Sequence, residues 1–291
     1  MSLKKAELCV NAYAKVNLFL DITGRLDNGY HSLNTVMQQI GLCDRVTVRV
    51  GDGKGIAVSC DMEDIPCDGR NIAFKAAEAF LERTGLEAEV SVDIEKRIPV
   101  MAGLGGSSAD GAAVLTALND MYGGILSGSE LERLGAALGA DVPFCVRGGA
   151  AVCTGIGDKM QSVRGLDDSC RLAVVKPDFQ CDTAEGYRLY DREPVAEKGD
   201  FDGFMRALES GIAETGKRLY NVFERLYRDE RIERLKKELV EAGATGACLT
   251  GSGSAVFGIF DDKAKAERAL EKMQYQTKFL TKPLGSTCNV K

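Results

Sequence analysis

Residues 97–110 read Arg-Ile-Pro-Val-Met-Ala-Gly-Leu-Gly-Gly-Ser-Ser-Ala-Asp. A strand pattern runs into three glycines, Gly103, Gly105 and Gly106, followed by Ser107 and Ser108, and a helix pattern begins at once. Glycine lets the backbone approach an anion and turn its N–H groups inward, and a helix start adds free N–H groups and the positive end of its dipole. Such a segment can cradle phosphate, with the serine hydroxyls as further contacts. A plain strand-to-helix turn also uses glycine, but it does not need three glycines and two serines. Two commoner phosphate signatures are missing: no Gly-x-x-x-x-Gly-Lys-Ser/Thr occurs, nor a His-Arg-Asp loop with Asp-Phe-Gly.

Four other features carry chemistry-bearing residues. Asp141, in Leu138-Gly-Ala-Asp-Val-Pro-Phe144, stands between a helix end and an apolar, strand-like run at 142–146. A carboxylate there needs a partner, or else makes ordinary turn hydrogen bonds. Lys15 is isolated in an apolar strand, where the plain reading is a solvent-facing residue. His31 is the sole histidine and follows Gly29 and Tyr30. The turn Thr250-Gly251-Ser252-Gly253-Ser254 alone reads as a hairpin connection. Taken singly, only the loop at 103–108 rises above its plain reading, so the order of these features along the chain matters more than any one of them.

The elements that must position them follow from periodicity. Residues 8–22 and 44–50 alternate as strands, with a turn at Asp27-Asn28-Gly29. Further strands are expected at 56–60, 89–95, 142–146, 150–154 and 172–176. Helices are expected at 71–83, 109–122 and 129–138, the last with Ser129 as N-cap. The second half changes character, with helical patterns at 201–208, 211–226 and 229–242. Strands at 246–249 and 255–260, a helix at 262–273 and a short strand near 277–280 then complete a split β-α-β arrangement. The best lobe boundary lies in the composition shift at 177–200, dividing the chain into 1–176 and 177–291.

Composition narrows the partners. The chain has 291 residues, 37 basic against 43 acidic, and a formal net charge of −6. No region accumulates the basic excess of a nucleic-acid footprint. Its ten cysteines are scattered without Cys-x-x-Cys spacing and there is one histidine, which leaves little for a zinc site and fits a reduced, cytosolic protein. Neither a signal-peptide core nor an apolar run approaching the ~18 residues of a membrane span is present.

In order and content these motifs resemble the GHMP kinase superfamily, which includes galactokinase, homoserine kinase and mevalonate kinase, and most closely its cytidine-recognising branch. The resemblance spans nearly the whole chain. It rests on Ala14-Lys15-Val16-Asn17-Leu18-Phe19-Leu20 with Gly29-Tyr30-His31-Ser32-Leu33, on Pro99-Val100 with the loop 103–108, on Gly139-Ala140-Asp141-Val142-Pro143-Phe144, on Lys176-Pro177 with Thr183-Ala184 and Tyr187, and on Leu249-Thr250-Gly251-Ser252-Gly253. The loop departs from that branch at Ser107, which stands where a glycine is expected, so which serine faces phosphate or magnesium is open.

The resemblance implies a two-lobed α+β fold: a β-rich nucleotide-binding N-terminal lobe like ribosomal protein S5 domain 2, and a ferredoxin-like C-terminal lobe with extra helices. It also implies ATP and Mg2+ as cofactors and phosphorylation of the 2-hydroxyl of CDP-methylerythritol, in a monomer or homodimer. Asp141 would be the base and Lys15 its buried partner. Pro99, Gly103, Leu104, Gly105, Gly106, Ser107 and Ser108 would hold the phosphates, with Asn71 and Ile72 near adenine. Tyr30, His31 and Tyr187 would frame the cytosine. Asn17, Thr183, Gly251, Ser252 and Gly253 would line the substrate side. The implied alternatives are another small-molecule kinase of the superfamily, acting on homoserine or mevalonate, or a catalytically silent ligand-binding module of the same fold.

Overall fold

The computed structural model describes residues 6–27, 29–157 and 159–285; Asn28 of the expected turn and Cys288 lie outside them. Two long strands, β1 (Ala6–Arg25) and β2 (His31–Gly51), pair antiparallel, with register shifts between Tyr13 and Lys15, Asn17 and Phe19, and Ile22 and Gly24. From Ala14 to Ile22 every residue of β1 is buried. A strand covered on both faces is a place where a polar side chain needs a partner, so Lys15 and Asn17 are interior residues and the solvent-facing reading of Lys15 does not apply.

Strand β3 (Gly55–Cys60) leads through helix α1 (Ile72–Thr84) to β4 (Glu89–Glu95), which lies parallel to β3 and antiparallel to β2. Asn71 caps α1 by accepting from the Ala73 N–H at 2.8 Å, and Gly85 ends it at φ 66°. Helix α2 (Gly106–Met121) starts three residues before the expected position, at the glycine loop itself. Helix α3 (Gly128–Leu138) is capped by Ser127 rather than Ser129, in a reciprocal capping box with Glu130.

The apolar run after Asp141 is not a strand. It forms the short helix α4 (Val142–Arg147), with proline in its first turn and Asp141 at the N-cap. Its β-like composition is overridden because Val142, Pro143, Phe144 and Cys145 are all buried, and proline suits a helix start. Strands β5 (Ala150–Gly155) and β6 (Lys159–Ser162) extend the sheet from the far half of β2.

The second half contains β7 (Arg171–Lys176), α5 (Thr183–Arg192), α6 (Phe201–Ser210) and α7 (Ile212–Lys217). The helix expected at 211–226 is in fact two: α7 stops, a two-residue strand β8 (Tyr220–Asn221) pairs parallel with β1, and α8 (Val222–Tyr227) follows. Then come α9 (Glu230–Glu241), β9 (Gly246–Leu249), β10 (Val256–Phe260), α10 (Lys263–Lys272) and β11 (Thr277–Thr281).

The first sheet has seven strands along the path β3-β4-β2-β1-β8, with β5 and β6 attached to β2; the second has four, ordered β11-β7-β10-β9. In the second sheet α9 packs on β9 and β10 and α10 on β7, the ferredoxin-like arrangement of a split β-α-β unit. The expected division after 176 falls just behind β7, whose hydrogen-bonded partners, β10 and β11, lie far along the second half. Among the described residues no helix is long and apolar enough to cross a membrane.

Candidate active site

Gly105 adopts φ 73° and serves as N-cap of α2 without any side-chain cap, so the N–H groups of the first turn are not taken up by a capping oxygen. The loop before it is fixed from both sides through backbone atoms. The Lys15 N–H donates to the Leu104 carbonyl at 3.0 Å, and the Ala255 N–H donates to the Ala102 carbonyl at 3.2 Å. A Cβ on Gly103 would collide with the Thr250 carbonyl, and one on Gly251 would press against the Gly103 backbone. These two glycines therefore let the loop and the 250–254 turn meet backbone to backbone.

Gly105 has a different reason to be glycine. A Cβ there would lie 3.1 Å from Lys15 Cγ and 3.7 Å from Asp141 Oδ2. The Lys15 ammonium sits 3.3 Å from Asp141 Oδ2 and donates to Asn17 Oδ1 at 2.8 Å. Its side chain is 4% exposed and that of Asp141 34%, so the expected buried pair is buried on the lysine side only. Asn17 is wholly occupied with holding this arrangement. Its Oδ1 also accepts from the Gly251 N–H at 3.0 Å, its Nδ2 donates to Thr35 Oγ1 at 2.9 Å, and its backbone N–H donates to Thr250 Oγ1 at 3.1 Å. Asn17 thus lies beneath the site, where it orients Lys15.

A cavity of about 990 Å³ opens over the loop. Pro99, Gly103, Leu104, Gly105, Gly106 and Ser107 line it, together with Asn71, Ile72, Thr183, Ser252 and Gly253. Ser107 is exposed and faces this space, whereas Ser108 is half-buried with its Oγ 3.8 Å from where a Cβ on Gly139 would stand. The hydroxyls of Thr183 and Ser252 are 2.5 Å apart, joining the start of α5 to the 250–254 turn.

The aromatic group gathers beside the other lobe. The His31 ring stacks on Tyr187 with centroids 4.7 Å apart and an interplanar angle of 23°. Burial pushes the Tyr187 phenol up to about 12. Tyr30 is 63% exposed. His31 Nε2 lies 2.7 Å from Asp191 Oδ1, and Arg25 stands 3.5 Å from the other oxygen of that carboxylate. A carboxylate oxygen accepts, so Nε2 carries the proton and Nδ1 is left for another partner.

Sequence reasoning missed several of these residues. Asp191 sits one helical turn after Tyr187 on α5, and the Asp182-x-x-Glu185 spacing, a helix-start signal, was the clue to that helix. Thr35 gave no signal of its own. Lys96, Asp44 and Asp110 form a buried charged cluster next to the loop, and only Asp110 lay within a recognised motif.

Comparison with known proteins places the arrangement. The GHMP kinases N terminal domain family matches residues 71–149 and the GHMP kinases C terminal family matches residues 193–278. A 4-diphosphocytidyl-2-C-methyl-D-erythritol kinase from Clostridium kluyveri is 40% identical over 280 residues, 94% of this chain and 99% of that protein. One from Clostridium acetobutylicum is 38% identical over 278 residues, with the same coverage of both. A crystal structure of 4-(cytidine 5'-diphospho)-2C-methyl-D-erythritol kinase superposes with TM-score 0.77 at 29% identity, covering 96% of this chain and all of that one. Homoserine kinase from Cytophaga hutchinsonii shares the fold, with TM-score 0.76 at 18% identity and 98% of each chain covered.

Proposed function

The chain belongs to the GHMP kinases, and within them to the 4-diphosphocytidyl-2-C-methyl-D-erythritol kinase family; on that premise we propose that it transfers the γ-phosphoryl group of ATP to the 2-hydroxyl of 4-diphosphocytidyl-2-C-methyl-D-erythritol. The observation that carries this reading is the Lys15–Asp141 pair set 3.3 Å apart against Gly105 of the phosphate loop.

Phosphoryl transfer asks the protein mainly for positioning and charge stabilisation. The uncapped start of α2 and the Gly105–Gly106 backbone receive the phosphates. The partly exposed Asp141 carboxylate accepts the proton of the acceptor hydroxyl. The Lys15 ammonium stands 3.3 Å from that carboxylate and is held in place by Asn17. Asn71 and Ile72, which line the cavity, are read as bordering adenine, and Thr183 and Ser252, which line it too, as bordering the acceptor. His31 and Tyr187, already stacked on each other, provide flat faces for a pyrimidine.

Mg2+ would travel with the nucleotide. Among the described residues no three His, Cys, Asp or Glu side chains gather to hold a metal. Phosphate oxygens would supply most of its ligands, and Ser107, which faces the cavity, could add a hydroxyl. When bound, the ion neutralises charge on the phosphates. Among the described residues the nine cysteines form no disulfide, which supports a reducing compartment such as the cytoplasm.

The test is ADP release with three acceptors offered in parallel: 4-diphosphocytidyl-2-C-methyl-D-erythritol, homoserine and mevalonate. Turnover with the first alone is expected. Turnover with homoserine or mevalonate instead, or nucleotide binding without turnover of any of the three, would replace this reading.

A further inference from the structure

Lys96 and Asp110 stand just before and just after the phosphate loop, and one hydrogen bond closes it. The Lys96 ammonium donates to Asp110 Oδ2 at 2.7 Å and donates as well to Asp44 Oδ2. Asp44, on β2, also accepts from the Arg97 and Ile98 N–H groups at 2.6 and 2.7 Å. The segment entering the loop and the helix leaving it are therefore tied to a single point on the sheet.

The three side chains are 3%, 6% and 0% exposed for Lys96, Asp110 and Asp44. Burying that many charges is a poor way to gain stability, since each ion loses several kcal/mol of hydration and an apolar trio of similar volume often does as well. The cluster also borders the nucleotide space. Lys96 and Asp110 both line the cavity, and a Cβ on Gly106 would lie 3.4 Å from Lys96 Nζ. The second oxygen of Asp110, Oδ1, is buried without a hydrogen-bond partner.

We propose that Asp110 is a positioning residue for nucleotide binding: through Lys96 it sets the distance between the two ends of the loop, and with it the aim of the N–H groups that receive phosphate. The inference rests on the phosphate-loop reading and not on the identity of the acceptor. Burial raises the Asp110 carboxyl to about 7 and Asp44 pushes it the same way, against the pull of Lys96. The buried Cys145 thiol on α4 lies within electrostatic reach of Asp110 and also of Lys15 and Asp141. In such a place a neutral amide keeps the oxygen that Lys96 needs.

Calorimetry with ADP, together with separate KM values for ATP and acceptor, tests the proposal. In Asp110→Leu, ADP affinity is expected to fall about tenfold or more and the KM for ATP to rise in parallel, with the acceptor KM within about twofold and kcat within about threefold. Asp110→Asn should return ADP affinity to within about threefold of wild type. A folded Asp110→Leu protein with wild-type ADP affinity overturns the proposal. So does a variant in which kcat and both KM values deteriorate together without recovery in Asp110→Asn. If Asp110→Leu does not fold, Lys96→Gln takes its place with the same two outcomes. Failure of the wild-type protein to bind ADP would overturn the loop reading and this proposal together, whereas ADP binding without turnover of the cytidine substrate would overturn the acceptor assignment alone.

Discussion

Two buried lysines flank the phosphate loop, and they differ in what their carboxylates can reach. Lys15 lies against Gly105 and pairs with Asp141, a third of whose side chain is exposed. Lys96 lies against Gly106 and pairs with Asp44 and Asp110, neither of which is more than 6% exposed. One ammonium thus serves a carboxylate with a third of its surface open, and the other serves two carboxylates that are almost wholly enclosed, although Asp110 borders the nucleotide cavity. The contrast teaches that access of the partner, rather than burial of the lysine, separates a reacting pair from a holding one.

The sharpest way to break the comparison is to neutralise the open carboxylate. Asp141→Asn is expected to lower kcat on the order of a hundredfold or more while ADP affinity stays near wild type. Steady-state turnover beside calorimetry checks this, and undiminished turnover would remove Asp141 from its role. Next in size is Gly105→Val. The added side chain enters the space held by Lys15 at a residue with φ 73°, so nucleotide affinity should fall about tenfold or more. Unchanged affinity would take the loop out of the site.

A smaller effect is expected on the acceptor side. Tyr187→Ala removes the face that His31 stacks on, and should raise the acceptor KM about three- to tenfold with the KM for ATP unchanged. Equal changes in both KM values would count against a separate acceptor subsite.

The smallest effect concerns pH. The folded-state Asp110 carboxyl is raised to about 7, from an ordinary value near 4. Between those values the folded protein binds more protons than the unfolded one, so this group makes stability fall as pH rises from about 4 to about 7. Denaturant unfolding at several pH values should show that slope reduced in Asp110→Asn. An identical slope in both proteins would mean that Asp110 does not titrate in that range.

Much of the site could be read from the chain because glycine, proline and lone charged residues mark places where the backbone or the solvent does something unusual. The 103–108 loop stands out in this way, whereas Lys15 and Asp141 gain their roles only from the order of motifs along the chain and the resemblance it carries. Secondary structure at 142–147 was misread because a short helix made of Val, Pro, Phe and Cys has no room for a 3.6-residue period, and its composition is that of a strand. The segment 211–226 was read as one helix because the break at Tyr220 and Asn221 is set by pairing with β1, a contact about two hundred residues away along the chain. Asn17 is placed on the substrate side by the resemblance; the direction of its side chain is not legible in the sequence, and in the fold its amide bonds Lys15, Thr35 and the Gly251 N–H. Lys96 and Asp44 sit among ordinary charged strand-end residues, and only three-dimensional proximity distinguishes them.

The interleaving of the two sheets bears on how this chain can be recombined. β8 comes from the second half yet joins the first sheet, and β7 precedes the expected division yet lies inside the second. The loop at Gly103 and the turn at Thr250 interlock with no space for a side chain between them. A chimaera that takes its two halves from different relatives must therefore inherit both glycine segments as a matched set, and fragments separated at residue 176 should regain activity only when produced together.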